Sequence, residues 1–212
     1  MPLFDAATTA AIDGPFALDD EQAYRCWRDQ KLASYPRRAE DLIVEVHDPR
    51  DLTASEVERL RRVCRSANMA VYSRPLAGVA DKNLPRRLGE QLGLKRRDAS
   101  PLADDDGISS LQVAPGKIAR GYIPYSNQRL LWHTDGYYNS MSSSIRAFIL
   151  HCVQPAAGGG VNRLLDHEIA YILLRDANHD YVRALAAADA MTIPRAVYRA
   201  TDAGGRVVFV NE

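Results

Sequence analysis

Apolar residues recur every three to four positions in some stretches of this chain and run almost unbroken in others. The two patterns predict different elements. Val57, Leu60, Val63 and Cys64 mark one face of a helix, opened by the capping sequence Thr53-Ala54-Ser55-Glu56. Arg59, Arg61, Arg62 and Arg65 fall on the opposite face and read as a solvated surface rather than a phosphate site. Ala23, Tyr24, Trp27 and Lys31 trace a second helix to Ser34, capped by Asp19-Asp20 and stopped by Pro36. Further helices are predicted over 81–92, ended by Gly93, then from the cap Asp166 through Ile169, Ala170, Ile172 and Leu173 to Asp176, and over 179–187.

The β-rich runs predict short strands over 42–46, 70–73, 108–113, 119–125, 144–152 and 161–165, with 144–152 fully buried. Thr192-Ile193 and a closing hairpin, 197–199 with 206–210 around Gly204-Gly205, end the sequence. Residues 1–17 carry no strong pattern and read as an arm. The expectation is one α+β domain over 1–212, with 1–40 as N-terminal arm and helix.

Composition changes this picture little. The chain has 212 residues, 46% of them hydrophobic, and a formal net charge of zero. That fits a soluble domain with a real core and argues against nucleic acid or an anionic membrane surface as partner. No apolar run approaches a membrane span, and no signal peptide is apparent. Cys26, Cys64 and Cys152 have neither metal nor redox spacing, so they read as reduced, mostly buried thiols in a cytoplasmic protein. Asp104-Asp105-Asp106-Gly107 lacks the alternating ligands of a calcium loop and reads as an acidic turn. Gly158-Gly159-Gly160 lacks any phosphate-loop pattern and reads as a flexible corner.

The candidate chemistry lies in Trp132-His133-Thr134-Asp135. On an extended strand, side chains two apart leave the same face, so the His133 imidazole and the Asp135 carboxylate converge. Such a pair suits a divalent metal of intermediate softness. With one more histidine it makes the facial triad of non-haem Fe(II) oxygenases. A lone His-x-Asp is also common by chance, as a hydrogen-bonded structural pair.

The context narrows the choice. Trp132-His133-Thr134-Asp135, then Ile145-Arg146-Ala147-Phe148-Ile149-Leu150-His151-Cys152, then Gly159-Gly160-Val161-Asn162 leading to Ala170-Tyr171, resembles the TauD/TfdA-like Fe(II)/2-oxoglutarate dioxygenases. The resemblance runs from about Leu42 onward and is most specific between Trp132 and Tyr171. It implies a double-stranded β-helix, or jelly-roll, core with flanking helices. It also implies Fe(II) held by His133 and Asp135, with 2-oxoglutarate and O₂ as cosubstrates, in an enzyme that hydroxylates a small organic molecule. Asn162 stands where the family commonly has a threonine that bonds the 2-oxoglutarate carboxylate. An amide NH₂ can donate the same bond, and a turn-stabilising asparagine is the alternative. Asn127 and Tyr137 are candidate substrate contacts, within a cluster that also holds Tyr122, Tyr125 and Tyr138. Trp132 reads as a core residue.

The family's distal histidine and its late, carboxylate-binding arginine have no counterpart in sequence context. The other histidines are His47, His151, His167 and His179, and none follows the closing hairpin. The expectation is therefore the N-terminal two-thirds of a dioxygenase domain, its jelly-roll incomplete in this chain. Three explanations stand: a truncated product, a split enzyme whose second polypeptide supplies the distal histidine and arginine, or a non-catalytic binding or regulatory relative. Missing core strands would expose edges and apolar surface, which favours a partner chain. A zinc-dependent, cupin-like or hydrolytic site is the remaining alternative.

Overall fold

Thr53 opens the most completely capped helix of the chain. Its hydroxyl accepts from the Glu56 N–H at 3.3 Å, while the Glu56 carboxylate takes the N–H groups of Thr53 at 2.7 Å and His47 at 2.6 Å. The computed structural model describes residues 14–74, 81–97, 108–113, 123–136, 139, 144–187, 190–191 and, as backbone, 196–200 and 207–211. They fall into two units, Met1–Val79 with Val153–Met191, and Ala80–Cys152 with Thr192–Glu212.

The first unit holds α1 (Glu21–Ser34), a 3₁₀ turn (Ala39–Leu42), β1 (Ile43–Glu45), α2 (Ala54–Ala67) and β2 (Val71–Ser73). Asp20 caps α1 by accepting from the Ala23 N–H, and α1 ends at Tyr35, which precedes a proline and is extended. Strands β1 and β2 pair in parallel, Val44 opposite Tyr72, with α2 as the crossover that parallel pairing requires. Val44, Leu60 and Ala67 are buried, so the apolar stripe of α2 faces inward, and the four arginines predicted to be solvated are exposed. Asn68 closes α2 in the left-handed conformation, which asparagine tolerates better than most residues.

Two further helices of this unit, α4 (His167–Ala177) and α5 (His179–Leu185), share the linker Asn178, which ends one and caps the other. Asp166 caps α4 through the Glu168 N–H at 2.9 Å and is almost fully buried. Its second oxygen meets Lys31 Nζ of α1 at 2.8 Å, and Asn68 Nδ2 donates to its first at 2.9 Å. Burial alone would raise the Asp166 carboxyl. The Lys31 ammonium, the Asn68 amide and the Glu168 N–H outweigh it and hold the group below its ordinary value.

Beside this junction, Phe16, Trp27, Tyr24 and Tyr171 cluster with centroids 5.0 to 6.2 Å apart, edge to face except for the tilted Tyr24–Trp27 pair. Arg175 lies over the Tyr24 ring at 4.0 Å and donates to the carbonyls of Pro15 and Ala17 and to the Tyr171 hydroxyl. The residues before α1 are thus tied to α4 by one buried guanidinium.

In the second unit, α3 (Asn83–Leu92) ends at Gly93 with φ +95°, and the Leu94 N–H returns to the Gly89 carbonyl at 2.8 Å. Leu84 and Leu88 are buried. Strands β3 (Ala196–Ala200) and β4 (Val207–Asn211) pair antiparallel, Tyr198 opposite Phe209, where the closing hairpin was expected.

Other expectations are corrected. Residues 108–113, 144–152 and 161–165 form no ladder among the described residues, and 123–125 is a 3₁₀ turn. Phe148 and Leu150 in the run expected to be a buried strand are exposed, as is Val161. A β-rich run becomes a strand only when a neighbouring strand takes up its N–H and C=O groups, and no such ladder forms for these three runs among the described residues. Cys26, Cys64 and Cys152 are exposed rather than buried. Cys64 flanks the inward stripe of α2 instead of centring it. The acidic turn at 104–107, residues 119–122 and Thr192-Ile193 lie outside the described residues.

Candidate metal centre

Residues 129–136 of the second unit carry the His-x-Asp pair, in irregular backbone rather than on a strand. The side chains converge all the same. His133 Nε2 stands 3.5 Å from Asp135 Oδ1. The other ring nitrogen, Nδ1, lies 2.8 Å from the Leu131 carbonyl oxygen. A carbonyl only accepts, so in the neutral imidazole Nδ1 carries the hydrogen and Nε2 the lone pair. That lone pair faces a carboxylate oxygen. Two acceptors so placed repel each other unless a proton on Nε2 or a metal cation lies between them.

A first-row divalent ion meets the requirement. Two cis donors at metal–ligand distances near 2.1 Å stand roughly 3 Å apart, so the observed gap needs only a small closure. Anchoring of the far imidazole nitrogen by a backbone carbonyl is the usual support of a ligating histidine. Both side chains are about half exposed, His133 at 41% and Asp135 at 51%, which leaves room for further ligands.

Asp135 is followed by Gly136, whose φ of +65° turns the chain sharply, and the Asn139 N–H closes the turn on the Gly136 carbonyl at 2.9 Å. Neither Leu131 nor Gly136 was singled out for the site. The Asp-Gly dipeptide, a strong turn signal, was the clue available for the second. A backbone carbonyl leaves no signature in sequence.

The other candidates are placed as follows. Asn127 is exposed in the bend after a 3₁₀ turn (Ile123–Tyr125) of the same unit. Tyr137, Tyr122 and Tyr138 lie outside the described residues. Asn162 belongs to the first unit, exposed, just after Gly159 and Gly160, both with positive φ. Trp132, expected in the core, is 64% exposed, and its segment joins no sheet among the described residues.

Among the described residues no third ligand is found. His47, His167 and His179 belong to the first unit; His151 belongs to the second, where burial holds its pKa down. Among the described residues no three His, Cys, Asp or Glu side chains are grouped to hold an ion.

A histidine and a carboxylate on one turn, with Nδ1 of the imidazole anchored and Nε2 facing the carboxylate, are two donors of the kind that nitrogen- and oxygen-ligated metal centres use. The taurine catabolism dioxygenase TauD, TfdA family model matches residues 29–212, and the chain belongs to that dioxygenase family. Its members generally use Fe(II), 2-oxoglutarate and O₂. No curated protein and no solved structure matches the chain at a significant level. Among the described residues no helix is long and apolar enough to cross a membrane.

Proposed function

We propose that this chain is part of an Fe(II)- and 2-oxoglutarate-dependent dioxygenase that hydroxylates a small organic substrate. The observation that carries this reading is the convergence of His133 Nε2 and Asp135 Oδ1, and family membership supports it. When bound, iron supplies the oxidative decarboxylation of 2-oxoglutarate to succinate and CO₂ and the oxidising power to insert oxygen into a C–H bond. His133 provides the neutral nitrogen donor, fixed by the Leu131 carbonyl. Asp135 provides the anionic donor. Asn162 is assigned to the 2-oxoglutarate carboxylate, and Asn127 and Tyr137 to the substrate. The distal histidine and a carboxylate-binding arginine come from outside the described residues, and a second polypeptide is the proposed source. Exposure of Leu130, Leu131 and Trp132 beside the pair supports a covering segment there.

Absence of a three-donor group among the described residues favours a second reading, a dioxygenase-like binding or regulatory subunit without turnover. One experiment separates them. The chain, with whatever co-purifies, is incubated with Fe(II), 2-oxoglutarate and O₂, and succinate is measured alongside native mass and metal content. Iron with succinate release supports the enzyme, and a second polypeptide in the native mass supports its source of ligands. Iron-free protein that yields no succinate favours the binding subunit. Zinc without succinate favours the hydrolytic alternative.

A further inference from the structure

Gly136 departs from ordinary backbone in two independent ways. Its φ of +65° lies where L side chains are strained. A Cβ at this position would also meet Ile145 Cδ1 at 2.6 Å, Ile145 Cγ1 at 2.8 Å and Asn139 Nδ2 at 3.0 Å. The first two separations are shorter than packed carbon atoms accept. The backbone of the turn therefore rests directly on the Ile145 side chain, and the missing Cβ is what lets it do so. The neighbouring Asp135 is one of the two converging donors, so the seat of Gly136 on Ile145 sets where its carboxylate points.

We infer that Gly136 is a positioning residue for the metal pair, holding Asp135 against His133 by its seat on Ile145. This rests on the metal reading above. A Cβ at this position pushes the turn off Ile145 and swings the carboxylate away from His133 Nε2. The donors themselves are untouched, so the loss falls on ion affinity and ligand-field geometry rather than on donor chemistry.

The test uses the full chain with any native partner and titrates Co(II), read by calorimetry and by visible absorption, with circular dichroism confirming the fold. Gly136→Ala is expected to weaken Co(II) about tenfold, the size of effect typical when ligand orientation is lost, and to alter the Co(II) spectrum. Ile145→Ala in the same chain removes the overlap and is expected to recover part of the affinity. A folded G136A protein that binds Co(II) as the parent does, or a double variant with no recovery, overturns the inference. If G136A does not fold, the comparison passes to Ile145→Phe, which presses on the unaltered glycine. Weakened Co(II) binding is expected there too, and parental affinity overturns the inference. A parent protein that binds no Co(II) removes the metal reading, and this inference with it.

Discussion

Lys31 Nζ and Asp166 Oδ2 lie 2.8 Å apart, with side chains only 4% and 0% exposed, and they join the end of α1 to the cap of α4. Removing one partner of such a pair strands a buried charge. Lys31→Met is therefore expected to lower the unfolding free energy by about 3 kcal/mol. Urea denaturation followed by circular dichroism measures it. Lys31→Met combined with Asp166→Asn should recover a large part of the loss. A single variant as stable as the parent contradicts the arrangement.

The same pair sets a pH dependence. Asp166 is held below its ordinary value in the fold, and so is Asp176, which accepts from Arg28 and the Tyr24 hydroxyl. Groups of this sign stabilise above the unfolded pKa, about 4, and lose the contribution as pH falls through the folded value. Lys31, raised by the carboxylates of Asp166 at 2.8 Å and Glu168 at 2.5 Å against the effect of burial, contributes fully below about 10.4 and loses the contribution as pH rises through its folded value. From these groups stability should fall below about pH 4, preceded by a smaller loss below about pH 6.5 from His151, whose pKa burial lowers. Urea midpoints across the acid range check it, and Asp166→Asn should soften the acid fall. Level stability down to pH 2 would count against the assignment.

Arg175 uses the shape of its guanidinium as well as its charge. It donates to two backbone carbonyls and the Tyr171 hydroxyl while its Cζ stands 4.0 Å over the Tyr24 ring. Lysine keeps the charge but has neither the fork nor the plane. Arg175→Lys should cost about 2 kcal/mol and increase proteolysis before residue 20. Thermal unfolding and limited proteolysis report both.

Asn162→Ala tests the cosubstrate assignment. Loss of one hydrogen bond to a charged group should weaken 2-oxoglutarate binding about tenfold, measured by calorimetry on the metal-loaded protein. Unchanged affinity removes Asn162 from the site.

Local signals were the legible part of this fold. The Thr53–Glu56 box, the Asp20 and Asp166 caps, Gly93 and the closing hairpin were each read within a few residues of their place, because each depends on neighbours in sequence. The runs at 108–113, 144–152 and 161–165 were read as strands from composition. Pairing depends on a neighbour that composition does not reveal, and they form no ladder among the described residues. The Tyr24–Asp176 bond and the Arg175 cluster join residues about 150 positions apart, beyond the reach of any periodic pattern. His133 and Asp135 were found for a partly mistaken reason. They converge through a turn and a backbone carbonyl, not through the alternation of a strand.

The most direct test is iron stoichiometry in the full chain, with its native partner if one co-purifies, compared with His133→Ala and Asp135→Ala. The account predicts close to one Fe(II) per chain in the parent and a loss of at least about tenfold in affinity in either variant. Iron retained at parental affinity by both variants would contradict it.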